Sequence, residues 1–127
     1  MPTKYPELTE SWELDFYWAV LRQKISRRFR RRKEPALVDI LFLIGIQETG
    51  FLRQDISRKD KEDLIQVGAM AALEALGYYK RLGTTHDGWP LYQKVRRMPK
   101  VDILEQSQLI KRAIVEYFKD WIIEGGS

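Results

Sequence analysis

The sequence predicts a mainly α-helical domain of four helices, with one β-hairpin between the third and the fourth helix. Apolar residues recur at three- and four-residue steps through most of the chain, and capping residues and glycines mark the ends of these stretches. After residue 77 the period changes to strict alternation, as in strands. At 127 residues, 44% of them hydrophobic, the chain has the size and composition of one domain with one core, spanning residues 1–127.

The first helix is predicted over residues 10–32. Thr9 is a plausible N-cap, and the arginines gather at the C-terminal end, where the helix dipole favours positive charge. One apolar stripe follows the helical period and is expected to face the core. It consists of Leu14, Trp18, Leu21, Ile25 and Phe29.

The second helix is predicted over residues 35–49, with Pro35 at its first position and Gly50 as the left-handed stop. It is apolar almost all round, so it is expected to be the central and most buried helix. Its apolar residues are Leu37, Val38, Ile40, Leu41, Phe42, Leu43, Ile44 and Ile46.

Capping patterns give the third and fourth helices clear starting points. Ser57-x-x-Asp60 precedes the third helix, which ends at Gly77, and Asp102-x-x-Glu105 precedes the fourth, which is predicted to run to residue 124. The third helix is rich in small residues that would let another helix approach closely. These are Gly68, Ala69, Ala71, Ala72 and Ala75.

The alternating segment predicts a hairpin with strands near residues 78–82 and 89–95, closed around Asp87-Gly88. Pro90 has no amide hydrogen, so its strand is expected at an edge. The period of two favours packing of Trp89, Leu91 and Val95 against the helices.

No catalytic, metal or cofactor site is predicted. The chain has no cysteine and one histidine, His86, which is expected to be solvated in the hairpin turn. Asp39 and Glu48 fall on opposite faces of the second helix and cannot act as an acid–base pair. Glu48, near the C-terminal end of that helix, needs a partner or water. The glycines do not have the spacing of a phosphate-binding loop, so we expect a protein that is not an enzyme.

Basic residues concentrate in two segments, residues 22–33 with eight and residues 80–100 with six, although the net charge is only +4. Such asymmetry favours an anionic partner, and phosphate contacts would relieve the repulsion within residues 27–33. Aromatic residues between the hairpin cations suit base stacking. We therefore expect binding of DNA or RNA. The candidate contacts are Arg27, Arg28, Arg30, Arg31, Arg32, Lys80, Arg81, Lys94, Arg96 and Arg97.

Other interpretations stay open. The arginines suit a solvated helix end that interacts with its own dipole, and the hairpin aromatics suit packing on the helices. A protein-interaction or self-associating module, for example a homodimer, would use the small face of Gly68, Ala72 and Ala75.

The longest apolar stretch, residues 36–46, is too short to span a membrane, which needs about 20 apolar residues. The N-terminus is acidic with no apolar signal core. These features predict a soluble protein of a bacterial-type cytoplasm with no membrane partner.

Two local resemblances to known families lie between residues 45 and 95. LEALGYYKR followed by DGWPLYQKV, within residues 73–95, resembles the passage from recognition helix to wing in winged-helix DNA-binding domains. The segment before Gly77, AMAALEAL, departs from that family, because it has little to offer a base edge. GIQETG, GYY and DGWP together resemble a family of small bacterial proteins of unknown function, which implies no activity, ligand or catalytic residue.

Overall fold

The chain forms five helices and one two-stranded antiparallel hairpin in the part that the computed structural model describes, residues 11–29, 33–51, 55–100 and 102–123. This confirms the predicted fold class, a mainly α domain with the hairpin after the third helix. Thr9, residues 30–32 and residue 124 lie outside the described residues. The elements are α1 (Ser11–Arg28), α2 (Leu37–Thr49), α3 (Arg58–Ala75), β1 (Tyr79–Thr84), β2 (Pro90–Lys94), α4 (Ile103–Tyr117) and α5 (Lys119–Ile123).

Side-chain caps begin the helices where the sequence places them. The amide of Asp60 donates to Ser57 Oγ at 3.0 Å, and the amide of Glu105 donates to Asp102 Oδ1 at 2.8 Å. The second helix begins two residues later than predicted, because Asp39 Oδ2 accepts the amide hydrogen of Ala36 at 3.0 Å and makes Ala36 the N-cap. Each cap satisfies an amide that the helix itself leaves without a partner.

Two glycines allow α2 and α3 to cross in direct backbone contact. A Cβ atom on Gly45 would lie 2.0 Å from the carbonyl oxygen of Leu64, and one on Gly68 would lie 1.9 Å from the carbonyl oxygen of Leu41. The contact is reciprocal, since each helix places a glycine on the backbone of the other. The predicted close approach at Gly68 is confirmed, and its partner is α2 of the same chain.

The buried face of α2 lies at this crossing. Ile40, Leu41 and Ile44 are buried, as is Gly45. Burial is nevertheless one-sided: Val38 is exposed, and Leu43 and Ile46 are only partly covered. The expectation of a helix buried all round is therefore wrong for its outer side.

The apolar stripe of α1 packs on α4 and α5 over four of its five predicted positions. Leu14, Trp18, Leu21 and Ile25 are buried in the core. Phe29 is 56% exposed, so its predicted place in the core is wrong. The reason is that α1 ends at Arg28 and Phe29 lies in the turn beyond it.

The predicted fourth helix is two helices. Phe118 has φ −98° and ψ 10°, which ends α4, and α5 follows at once. Lys24 of α1 donates from Nζ to the carbonyl oxygen of Trp121 at 3.0 Å, and Ile122 is buried. The break thus allows α5 to pack on α1, where a continuous helix would have kept the direction of α4.

The hairpin has a register that the alternation alone did not indicate. Arg81 pairs with Tyr92 and Gly83 with Leu91, so Leu82 is an extra residue in β1, a β-bulge. Pro90 is buried and Tyr92 is partly buried, whereas Leu91 and Val95 are 47% and 52% exposed. The predicted inward packing of Leu91 and Val95 is wrong, because a shift by one residue exchanges the two faces of a strand.

Thr85 and Gly88 close the hairpin turn. The amide of Gly88 donates to the Thr85 carbonyl oxygen at 2.9 Å, and Gly88 has the positive φ (86°) that this turn requires. His86 is fully exposed at the tip, as predicted.

Candidate functional site

Arg27 and Arg28 form the exposed end of α1. Both side chains are exposed, and neither forms an ion pair with any described residue. Their position in the last turn places positive charge at the negative end of the helix dipole. Arg30, Arg31 and Arg32, predicted for the same contact, lie outside the described residues.

The cations of the hairpin are distributed over both of its faces. Lys80 pairs with Gln93 on the outer face, and Lys94 pairs with Tyr79 on the face that carries Arg81. Lys80, Lys94 and Arg97 are exposed and form no ion pair within the described part of the chain. The structure therefore does not bring all of the predicted hairpin contacts onto one surface.

Arg96 is exposed but held in place by an aromatic ring. Its guanidinium carbon lies 4.4 Å from the ring centroid of Tyr78, a cation–π distance. Tyr78 itself is buried. The stacked guanidinium keeps N–H groups at its edge that can donate to an anion.

Arg81, one of the predicted nucleic-acid contacts, forms an ion pair and hydrogen bonds inside the protein. Its Nη1 lies 3.3 Å from Glu48 Oε1, and its Nη2 lies 3.2 Å from Thr84 Oγ1. Its backbone amide donates to Glu74 Oε2 at 2.9 Å. Since the side chains of Arg81 and Glu48 are only 34% and 22% exposed, this ion pair belongs to the structure of the hairpin.

Glu48 joins three elements at the C-terminal end of α2. One carboxylate oxygen accepts a hydrogen bond from the guanidinium of Arg81 in β1, and the other accepts the hydroxyl hydrogen of Tyr117 in α4. This confirms that Glu48 needs a partner so near a helix C-terminus. The pairing also fixes the hairpin against the helices, which makes Glu48 a structural residue.

The surroundings of Glu48 alter two tyrosines. Burial, followed by the nearby carboxylates of Glu48 and Glu74, raises the pKa of Tyr92 to about 12. Burial and the hydrogen bond to Glu48 also raise the pKa of Tyr117 well above its usual value. The hydroxyl of Tyr92 is buried and meets no hydrogen-bond partner in the described chain. Both tyrosines are therefore neutral hydroxyl groups at physiological pH.

An open groove of about 840 Å³ lies where α1, α2 and α4 end, alongside α5. Its walls are mostly aliphatic and aromatic, with Arg28, Gln47 and Asp120 as the polar residues. The apolar lining is Ile25, Phe29, Leu43, Ile46, Tyr117, Phe118 and Trp121. Phe29, which the helical period wrongly placed in the core, thus forms one wall of the groove.

The sequence did not indicate the Glu48 cluster or the groove. The only signal for the cluster was a carboxylate in the last turn of a helix, which requires a partner but does not identify it. Tyr117 and Phe118, at the break between α4 and α5, line the groove, and the sequence has neither proline nor glycine there to mark the break.

Other classes of site find no support in the described ranges. There, no three residues among histidine, cysteine, aspartate and glutamate stand close enough to share a metal ion. Likewise, none of the helices described is both long and apolar enough to span a membrane. No protein-family model, curated protein or solved structure matches this chain.

Proposed function

We propose that the protein binds the phosphate groups of DNA or RNA without strong sequence preference, in the cytoplasm. The contacts within the described chain are exposed cations at the end of α1 and on the hairpin. Arg30, Arg31 and Arg32 extend the same set by sequence. The described contacts are Arg27, Arg28, Lys80, Lys94, Arg96 and Arg97.

The observation that carries this proposal is that six exposed cations in the two basic segments have no carboxylate partner among the described residues. Arg22, Arg58 and Lys59 lie within 4.0 Å of a glutamate or aspartate, as does the partly buried Arg81. Each of the proposed contacts forms no such pair with a described residue. Cations left unpaired by the fold are available to neutralise phosphate and release its counterions.

Contacts through Tyr117 link the end of α1 to strand β1, although the exposed cations of the hairpin lie on both of its faces. Tyr117 lines the groove together with Arg28 of α1. Its hydroxyl donates to Glu48, which in turn pairs with Arg81 of the hairpin. The end of α1 and strand β1 therefore approach the same residue from two sides.

The orientation of the aromatic residues favours contact with phosphate over stacking of bases. Tyr78 is buried, and the rings of Tyr79 and Tyr92 pack against the core. Trp89 lies against Phe51, with ring centroids 5.9 Å apart. Backbone contacts carry no sequence information by themselves, so weak sequence preference follows.

Fluorescence anisotropy of short labelled duplexes tests the proposal. Two duplexes of unrelated sequence, and a single strand of RNA, are expected to bind at low salt with similar affinity. Changing Lys80, Lys94 and Arg97 to Gln is expected to weaken binding to all three alike. Absence of binding to every one of them at low salt contradicts the proposal.

A second candidate function, protein interaction, is favoured by the outer face of the hairpin. Leu82, Leu91 and Val95 are 60%, 47% and 52% exposed there, and exposed apolar clusters often mark interaction sites. The small residues Gly68 and Ala72, by contrast, are buried inside the molecule. Sedimentation at several concentrations tests self-association. A protein that stays monomeric at every concentration excludes self-association.

A further inference from the structure

The groove at the end of α1 has the dimensions of a small-molecule site. Its volume of about 840 Å³ falls in the range of roughly 300–1,000 Å³ that ligand pockets occupy. Its walls come from the C-terminal parts of α1, α2 and α4, from the turn residues Phe29 and Phe118, and from α5. An apolar lining with a few polar groups at its border is typical of such pockets.

The groove lining carries one cation, Arg28, and one carboxylate, Asp120, and two further cations of α1 lie beside the groove. Arg28 lines it and is exposed, and Lys24 lies one turn earlier on the same face of α1. Lys24 Nζ is 5.7 Å from the ring centroid of Trp121, which is itself a lining residue. Arg27 adds a third cation beside Arg28. Asp120 is the acidic residue of the lining, and it forms no ion pair with Arg28.

We infer that the groove binds a small amphipathic carboxylate. The aliphatic or aromatic body of the ligand lies against Ile46, Phe118 and Trp121, and its carboxylate pairs with the guanidinium of Arg28. The planar guanidinium offers two parallel N–H groups to a carboxylate. This inference goes beyond nucleic-acid binding, with which it shares only the side chain of Arg28.

Displacement of the fluorescent probe anilinonaphthalene sulfonate tests the inference on the full chain. Decanoate is the carboxylate probe, and decanol, with the same chain length and no charge, is its control. Decanoate is expected to displace the fluorophore at lower concentration than decanol. Ile46→Trp, which fills the groove from a partly exposed position, is expected to weaken the binding of decanoate and of decanol.

The neighbouring arginines provide a matched pair of variants. Arg28→Gln and Arg27→Gln remove the same charge from the same exposed turn, but only Arg28 lines the groove. Arg28→Gln is expected to raise the decanoate concentration for half-displacement about threefold, the scale of one partly exposed charge pair. Arg27→Gln is expected to change that concentration much less. The decanol concentration for half-displacement is expected to be the same in both variants as in the native protein. Asp120→Asn is expected to tighten decanoate binding.

The outcomes separate this inference from the proposed function. Equal effects of Arg27→Gln and Arg28→Gln on decanoate, or no displacement at all, overturn the carboxylate site. Tighter decanoate binding by Arg28→Gln, or weaker binding by Asp120→Asn, also overturns it. DNA binding is expected to decrease equally in both arginine variants. Decanoate binding without DNA binding therefore leaves the groove site standing and contradicts the proposed function alone.

Discussion

The crossing of α2 and α3 allows a sharp prediction about Gly68→Ala. In most helix interiors this change stabilises, because alanine favours the helix over glycine by about 1 kcal/mol. At this position the new methyl group would lie 1.9 Å from the carbonyl oxygen of Leu41 and 2.7 Å from its carbon. Both are backbone atoms, which cannot move aside by a change of rotamer.

The magnitude follows from the displacement that the methyl group requires. Cβ atoms essentially never come closer than 3.0 Å to a non-bonded heavy atom of another part of the chain, so the two helices must separate by at least 1.1 Å at this point. A radial gap of about 0.5–1 Å already loses a quarter to a half of the dispersion attraction across a contact. Overpacking costs about 1–3 kcal/mol, and a clash with backbone atoms belongs at the upper end of that range. After subtraction of the helix-propensity gain of about 1 kcal/mol, we expect Gly68→Ala to destabilise the protein by about 2 kcal/mol.

Urea denaturation monitored by circular dichroism measures this change, with Gln66→Ala, an exposed position of α3, as the control. The control is expected to stay within about 0.5 kcal/mol of the native protein. Gly45→Ala is expected to resemble Gly68→Ala, since its methyl would lie 2.0 Å from Leu64 O. The double variant is expected to cost less than the sum, because one separation relieves both contacts. A neutral or stabilising Gly68→Ala refutes the glycine crossing.

Three further predictions concern the core and the Glu48 cluster. Ile44→Ala is expected to cost about 2–5 kcal/mol in urea denaturation, because Ile44 is fully buried; a cost near zero would move it to the surface. Glu48→Ala is expected to lower the free energy of unfolding by about 1–3 kcal/mol, because Tyr117 and Arg81 lose their carboxylate partner. Glu62→Ala, which removes an exposed ion pair, is expected to change it by no more than about 0.5 kcal/mol. Equal costs in the two variants would contradict the structural role of Glu48. The raised pKa of Tyr92, about 12 against 10.0 in the unfolded chain, gives stability that is complete below pH 10 and is lost as the pH rises towards 12. In Tyr92→Phe, the urea midpoint is expected to fall less between pH 10 and pH 12 than in the native protein, and to be no lower than the native midpoint at neutral pH. An equal fall in both proteins would contradict the raised pKa of Tyr92.

The sequence predicted the elements well because their signals are local. Ser57, Asp102 and Gly50 act on the backbone within a few residues, so each marks a helix end wherever the helix lies in the fold. The face of the hairpin was wrong for the opposite reason. It is set by tertiary contacts such as the pairing of Arg81 with Glu48, a residue 33 positions away along the chain.

The candidate site was predictable only as far as charge. The run of arginines identified the end of α1, and the structure leaves Arg27 and Arg28 exposed. Composition could not distinguish Arg81, which is engaged in the fold, from Lys80, which is exposed. Nor could it reveal the groove, which exists because residues from α1, α2 and α5 meet across the tertiary structure.

The salt dependence of duplex binding tests the central claim, phosphate binding by unpaired cations, most directly. The slope of log K against log salt is to be measured for the native protein, for Arg27→Gln/Arg28→Gln, and for Arg58→Gln/Lys59→Gln. The last pair removes the same charge from the start of α3, where both side chains already pair with carboxylates. Two lost phosphate contacts at about 0.9 each are expected to flatten the slope by about two units in the first variant, with no change in the second. Equal slopes in the two variants would contradict the account.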